Sequence, residues 1–190
     1  MLLKNSYDLF MHPLEHFLLG KIRRQLISHA YGKVLELGPG TGVNFAYYDM
    51  QKVESLFCLD IKVSPVARQR APESTTFLET SGAAFPFPNA HFDTVVETLV
   101  LCTVPNPSGT MAEIVRVLKP GGQLLQLDHG LPSNPFWALI FRLIDPIWSL
   151  TSQGCHLTRR PDTLMAEFGM TIEQSGGRPK GIFSWSISRK

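Results

Sequence analysis

Glu36-Leu37-Gly38-Pro39-Gly40-Thr41-Gly42 puts a carboxylate and three alternating glycines between an apolar run and a helical stretch. Glycines so spaced let a ligand reach the backbone where a Cβ would stand, and the helix behind them offers unpaired N–H donors. Strand, glycine turn and helix together are the context of a nucleotide-type site. The dinucleotide fingerprint wants its last glycine where this chain has Val43, which disfavours a nicotinamide dinucleotide. Glu36 would repel a pyrophosphate but suit a cation, and the ammonium and sulfonium of S-adenosylmethionine supply one. Asp60, at the end of the next strand candidate, stands where an acid accepts hydrogen bonds from ribose hydroxyls, although a capping or solvated aspartate reads the same way.

The elements that would position these groups alternate. Apolar runs predict strands at Lys33–Leu37, Ser55–Leu59, Thr75–Glu79, Phe92–Thr98 and Gln123–Leu127, and two closing strands near Met170–Gln174 and Ile182–Ser188. An amphipathic stripe from Pro13 to about His29 precedes them. Helical stretches are expected near Ser64–Arg70, Ser108–Leu118, from about Phe136, and from about Pro161 to Phe168, with Lys119-Pro120-Gly121-Gly122 as a stop and turn. The expected fold is α/β: a Rossmann-like, doubly wound, mainly parallel seven-stranded sheet ending in an antiparallel hairpin. One domain over 1–190 is expected, with 1–30 as a helical cap and 131–168 as a lid over the acceptor site.

Composition narrows the class. With 44% hydrophobic and 18% charged residues the chain reads as globular, and a net charge of +2 gives no support for a nucleic-acid partner. Cys58, Cys102 and Cys155 form no CxxC pair, so neither a disulfide framework nor a thiolate zinc site is expected and a reducing cytoplasm fits best. No signal peptide is legible at Met1-Leu2-Leu3-Lys4-Asn5. The apolar window Phe136–Leu150 is interrupted by Arg142, Asp145 and Pro146, too short to span a bilayer but leaving peripheral membrane contact open.

Val34-Leu35-Glu36-Leu37-Gly38-Pro39-Gly40-Thr41-Gly42, Leu59-Asp60, Phe92-Asp93-Thr94-Val95-Val96 and Leu118-Lys119-Pro120-Gly121-Gly122 together resemble, in order, the motifs of class I S-adenosylmethionine-dependent methyltransferases. The chain is most similar to their type 11 branch, which includes bacterial phospholipid N-methyltransferase-like proteins and mammalian methyltransferase-like thiol methyltransferases. That similarity extends to Thr98-Leu99-Val100-Leu101-Cys102 and Gly154-Cys155-His156-Leu157-Thr158-Arg159. The resemblance implies S-adenosyl-L-methionine as cofactor and S-adenosyl-L-homocysteine as product. It implies cofactor contacts from Glu36, Gly38, Gly40, Gly42, Asp60, Ile61, Gly82, Ala83, Thr98 and Tyr7, with Phe10 beside Tyr7 at the closing N-terminal segment, although hydrophobic anchoring of the terminus accounts for Tyr7 and Phe10 equally. Where many relatives carry an acid near the adenine, this chain has Ser81, so the backbone at Gly82 and Ala83 would hold the base.

The acceptor side is read from chemistry. His129, at the carboxyl end of the fifth strand candidate, is the candidate base for a thiol or ammonium acceptor, since its ordinary pKa of ~6.5 lets it take a proton near neutrality. A loop-holding role for it stays open. Trp148, His156 and Arg159 are candidate substrate contacts, with Phe136–Leu150 as an apolar lid; a core helix is the alternative. Direct in-line transfer to a small-molecule or lipid-like acceptor is expected, with no metal and no protein partner. A noncatalytic S-adenosylmethionine-binding protein and an NAD-dependent oxidoreductase remain as alternatives.

Overall fold

The apolar runs become the central strands, because a strand covered on both faces needs few polar positions. The computed structural model describes residues 19–80, 84–152, 154–178 and 182–190. Its strands are β1 (Gly32–Leu37), β2 (Val53–Asp60), β3 (Thr75–Glu79), β4 (Phe92–Thr98), β5 (Leu118–His129), β6 (Thr171–Arg178) and β7 (Phe183–Arg189). They form one seven-stranded sheet in the order β3-β2-β1-β4-β5-β7-β6. The pairs from β3 across to β5 are parallel, while β7 runs antiparallel to β5 and β6 antiparallel to β7. The expected doubly wound sheet and its closing hairpin are both present.

The helices are α1 (Gly20–Ile27), α2 (Pro65–Arg70), α3 (Pro107–Val117), α4 (Pro135–Thr151) and α5 (Pro161–Glu167). From α2 onward each opens on proline, whose fixed φ and missing N–H suit a first turn. Ser64, Asn106 and Asn134 cap α2, α3 and α4 by accepting from first-turn N–H groups. The part of the first predicted helix before residue 19 lies outside the described residues, as do Tyr7 and Phe10.

Leucine and valine neighbours along each strand face opposite sides, so the sheet carries two cores. Val34 and Leu125 pack under α1 with Leu26 and Ile27, whereas Leu35 and Leu124 pack against Met111, Ile114 and Val117 of α3. One expectation is corrected. Lys119-Pro120-Gly121-Gly122 does not separate helix from strand but belongs to β5, which begins at Leu118. Gly121 turns there at φ +74°, and the pairing with β4 slips between Phe92↔Leu118 and Thr94↔Gln123. Hydrogen bonds from Gly121 N to Lys190 O and from Lys190 N to Gly122 O keep this irregular segment in the ladder.

Asp93 ties the starts of three strands together. Its carboxylate accepts from Lys33 N at 2.9 Å and from Lys119 Nζ at 2.7 and 2.8 Å. Partial burial raises its pKa, but the Lys119 bond and the Lys33 N–H outweigh that and leave it below the ordinary value of 3.8. A depressed carboxylate stabilises the fold above its unfolded pKa, and that stability is lost as pH falls through the lower folded value. Asp93→Ala is therefore expected to cost about 1 kcal/mol at neutral pH, since the pair is partly solvent-screened. Urea unfolding at pH 7 and pH 3 checks this: the gap between variant and wild type should narrow at pH 3, and a constant gap would contradict the linkage.

Candidate functional site

β1 lies between β2 and β4, so the chain leaves its carboxyl end at the point where strand order reverses, the place where doubly wound sheets bind ligands. Gly38, Gly40 and Gly42 all sit at positive φ, 58°, 56° and 75°. Their roles separate on contact. A Cβ on Gly38 would come 2.6 Å from Val100 Cγ2, and one on Gly42 would come 2.6 Å from the Phe45 ring. A Cβ on Gly40 would meet nothing within 4 Å, so Gly40 is where backbone faces open space. The turn is pinned by Gly38 N donating to Leu59 O, Gly42 N to Pro39 O, and Arg70 Nη1 to Thr41 O at 3.0 Å. Asp60 ends β2 half-buried, its Oδ1 accepting from Lys62 N, and Ile61 beside it is 68% exposed.

Glu36 is placed differently from the sequence reading. Its side chain is fully buried, with Oε1 accepting from Asn44 Nδ2 at 2.8 Å and Oε2 from Tyr48 OH at 2.9 Å. Asn44 Nδ2 also donates to Thr98 Oγ1 at 3.0 Å, and the buried Arg23 of α1 donates from Nη1 to Asn44 Oδ1 at 2.9 Å. Burial raises the Glu36 pKa, opposed by the Asn44 and Tyr48 bonds and by the charge of Arg23. Glu36 and Thr98 thus brace the floor beneath the glycine turn. Asn44, Tyr48 and Arg23 were not legible as partners, because hydrogen-bond networks between elements leave no spacing signature.

A second cluster gathers where β4 and β5 end. Glu97 Oε1 accepts from Val100 N at 2.7 Å and Leu101 N at 2.9 Å, shaping the loop after β4. Leu99 in this loop adopts φ +61°, an uncommon conformation for a residue with a side chain and of the kind that collects at functional sites. Asp128 accepts from Cys102 N at 3.1 Å through Oδ2 and from His129 N at 2.9 Å through Oδ1. Burial pushes the Asp128 carboxyl up to about 7, and burial with the charge of Asp128 pushes Glu97 well above the ordinary range. A charged residue within the apolar strand Phe92–Thr98 was the signal available for Glu97 in the sequence.

His129 does not face an open crevice. It is 7% exposed, its Nε2 lies 2.7 Å from Cys155 Sγ, and Cys155 Sγ lies 3.9 Å from Cys102 Sγ. Trp148 Nε1 donates to Cys155 Sγ at 3.4 Å. The Cys102 contact, then His129 and the Trp148 indole, bring the Cys155 thiol down to about 4 against the effect of burial. Spacing along the chain gave no hint that these two cysteines meet.

The remaining substrate candidates hold loops. Arg159 Nη1 donates to Leu101 O and Val104 O, on either side of Cys102. His156 Nδ1 pairs with Asp145 Oδ2 at 3.1 Å, and Asp145 Oδ1 accepts from Leu157 N, so Asp145 holds this turn. α4 buries none of its residues, and Leu139, Leu143, Ile147 and Leu150 are exposed, so it is not a core helix among the described residues. No helix among the described residues is long and apolar enough to cross a membrane. Gly82 and Ala83, with Ser81, lie outside the described residues.

Residues 35–126 match the family described as Methyltransferase domain, type 11. Thiol S-methyltransferase TMT1B of Rattus norvegicus is 35% identical over 135 residues, 66% of this chain and 54% of that protein. The ubiquinone/menaquinone biosynthesis C-methyltransferase UbiE of Shewanella pealeana is 31% identical over 143 residues, 69% of this chain and 55% of that protein. The chain thus spans about half the length of these relatives. Among solved structures, an S-adenosylmethionine-dependent methyltransferase from Mesorhizobium loti superposes with a TM-score of 0.69 at 15% identity, covering 90% of this chain and 96% of that one. The [4+2]-cyclase SpnF superposes equally well, TM-score 0.69 at 16% identity over 90% of this chain and 79% of that one.

Proposed function

We propose that this chain, a class I methyltransferase of the type 11 branch, transfers a methyl group from S-adenosylmethionine to a small thiol. The observation that carries the cofactor half is Gly40: at the point where strand order reverses, a backbone with no Cβ faces open space. The residues present fit the cofactor. The turn at Gly38, Gly40 and Gly42 cradles its amino-acid portion, Asp60 accepts from the ribose hydroxyls, Ile61 offers apolar surface to the adenine, and Glu36 and Thr98 brace the floor. Gly82, Ala83 and Tyr7 complete the proposed contacts. When bound, S-adenosylmethionine supplies a methyl group on a positively charged sulfur.

The thiol half rests on the name and 35% identity of the rat relative and on the cluster at the ends of β4 and β5. Holding acceptor and donor in attack geometry can supply roughly 7–11 kcal/mol of the barrier lowering. His129, flanked by Cys102 and Cys155, is the polar group at the acceptor end. Two routes for removing the thiol proton are open to that cluster, transfer to His129 or coordination of the sulfur to a cation. Trp148, His156 and Arg159 shape the acceptor side by fixing Cys155 and the loop after β4. The exposed apolar face of α4 suits an apolar acceptor or a membrane surface that delivers one.

Incubation of the purified chain with S-adenosylmethionine and a panel of thiols, amines and phospholipids tests the reading. Formation of S-adenosylhomocysteine with methyl thioether from the thiols is expected; cofactor binding without turnover of any acceptor would indicate a noncatalytic binding protein. Asp60→Ala is expected to weaken cofactor binding by on the order of 1.5–3 kcal/mol, the worth of charge-assisted hydrogen bonds. Unchanged calorimetric affinity in the folded variant would remove Asp60 from the site.

A further inference from the structure

Three soft or borderline ligand atoms converge from three separate parts of the chain. Cys102 comes from the loop after β4, His129 from the last residue of β5, and Cys155 from the turn after α4, and their ligand atoms all lie within 4.8 Å of one another. All three residues are buried. Such a grouping could close as a disulfide or hold a metal ion, and geometry decides between them. A disulfide needs sulfurs about 2.05 Å apart, so the observed 3.9 Å would have to shrink by roughly half. A tetrahedral ion with sulfur at about 2.3 Å and nitrogen at about 2.0 Å needs sulfurs about 3.8 Å apart and sulfur to nitrogen about 3.5 Å. The two sulfurs already stand at that separation. His129 Nε2, now 2.7 Å from Cys155 Sγ, is closer to that sulfur than such an ion requires by less than about 1 Å.

The surroundings are those of a prepared site. Asp128 fixes Cys102 N and His129 N at the same time, His156 N donates to Cys102 O, Arg159 holds the carbonyls on both sides of Cys102, and Trp148 steadies Cys155 Sγ. Partners of this kind orient ligands in metal centres. Nε2 is the ring nitrogen on the sulfur side of His129, whereas Nδ1 is buried with no hydrogen-bond partner among the described residues. Two cysteines and a histidine match the preference of zinc-class ions for sulfur and imidazole nitrogen. No fourth side chain among the described residues joins the group, and Asp128 is occupied with backbone N–H donors. Among the described residues the group thus offers three protein ligands, which leaves a tetrahedral ion one further position to fill, as in reactive zinc centres.

We propose that Cys102, His129 and Cys155 bind one zinc-class cation whose open position takes the sulfur of the methyl acceptor. The second half of this proposal rests on the thiol reading given above, and the first half does not. The acceptor thiol enters, its proton leaves to solvent, and the sulfur is held as a thiolate without a strongly basic side chain. Its lone pair then forms the new S–CH₃ bond as the methyl–sulfonium bond breaks, and that bonding pair stays on the departing S-adenosylhomocysteine sulfur. The charge on the cation does not change. His129 acts in this scheme as a ligand, and the acceptor is activated by coordination.

The test uses the purified, reduced full chain without added cofactor. Titration with Co²⁺ should give one bound ion per chain, a sulfur-to-cobalt charge-transfer band and the visible bands of a tetrahedral site. Cys102→Ser and Cys155→Ser should each lose most of the charge-transfer intensity, whereas Cys58→Ala, in β2, should keep it. Zn²⁺ should displace the cobalt and abolish the bands. Absence of any charge-transfer band in the wild-type chain overturns the metal site, whatever the variants do. 2-Mercaptoethanol should shift the band while ethylene glycol leaves it unchanged. A bound ion whose spectrum ignores the thiol overturns the acceptor half. Thiol methylation without metal uptake leaves the proposed activity standing and removes the cation from it. Metal uptake without thiol methylation does the reverse.

Discussion

Gly40→Val is expected to reduce affinity for S-adenosylmethionine by more than about 100-fold, about 2.7 kcal/mol, while the sheet stays folded. The three glycines of the turn look equivalent in the sequence, yet their surroundings differ. At Gly38 and Gly42 an added Cβ would strike Val100 or Phe45, so substitution there damages packing and says little about ligands. At Gly40 it would strike no protein neighbour, so a loss of affinity there reports on the ligand that belongs in that space. The positive φ of 56° adds backbone strain of order 1–3 kcal/mol for a residue with a side chain, enough to lower stability without unfolding a domain of this size. Calorimetry with S-adenosylhomocysteine, paired with urea unfolding, separates the two effects. A folded Gly40→Val chain with wild-type affinity would show that the turn is not the cofactor cradle. Asp60→Ala should lose less, because it removes one anchor where the valine fills the seat.

The fold was legible because its signals are local. Alternating apolar runs, amphipathic stripes and glycine turns each report on a few neighbouring residues, and the seven strands follow from them in order. Element limits moved where long-range pairing overrode local chemistry, as at Lys119-Pro120-Gly121-Gly122, which the terminal residue Lys190 holds in the sheet. The candidate site was legible only along the chain. The glycine turn and Asp60 lie at strand ends that the alternation itself locates. Cys102 and Cys155 lie far apart in sequence, and their meeting depends on how the turn after α4 packs back against the loop after β4. A test for CxxC spacing sees each cysteine alone and misses the pair. Similarly, nothing in the spacing of Arg159 shows that its guanidinium spans two carbonyls of the loop after β4.

The shared fold of the cyclase SpnF and the methyltransferase from Mesorhizobium loti makes the sheet a poor guide to chemistry. What distinguishes one chain from another on this scaffold is the set of side chains at the carboxyl edge. Here that edge divides into a glycine turn over a braced carboxylate on the β1 side and a sulfur–imidazole cluster on the β5 side. A donor and an acceptor held at the two halves would meet above β4, whose last residues, Glu97 and Thr98, belong to one cluster each.

Glu36→Ala is expected to lower stability by on the order of 3–5 kcal/mol, more than Asp93→Ala or Gly40→Val. The sequence reading put this carboxylate against a cationic ligand, but in the fold both oxygens are used internally, by Asn44 and Tyr48, with the Arg23 charge close by. Removing it takes the acceptor from a buried phenol and a buried amide at once, each loss worth roughly 1–3 kcal/mol. It also removes a negative charge that Arg23 balances. At this chain length such a loss corresponds to a fall in Tm of roughly 6–20 °C. Glu36→Gln keeps the volume and one acceptor oxygen, so it should recover part of the stability, but its NH₂ must confront either Tyr48 OH or Asn44 Nδ2. Cofactor affinity should follow stability across the two variants, because Asn44 and Thr98 position the floor under the turn only while the network is intact. The opposite outcome is just as readable: a Glu36→Gln chain that melts like wild type yet loses the cofactor would mean that Glu36 meets the ligand by charge, and that the network described here rearranges when the ligand binds.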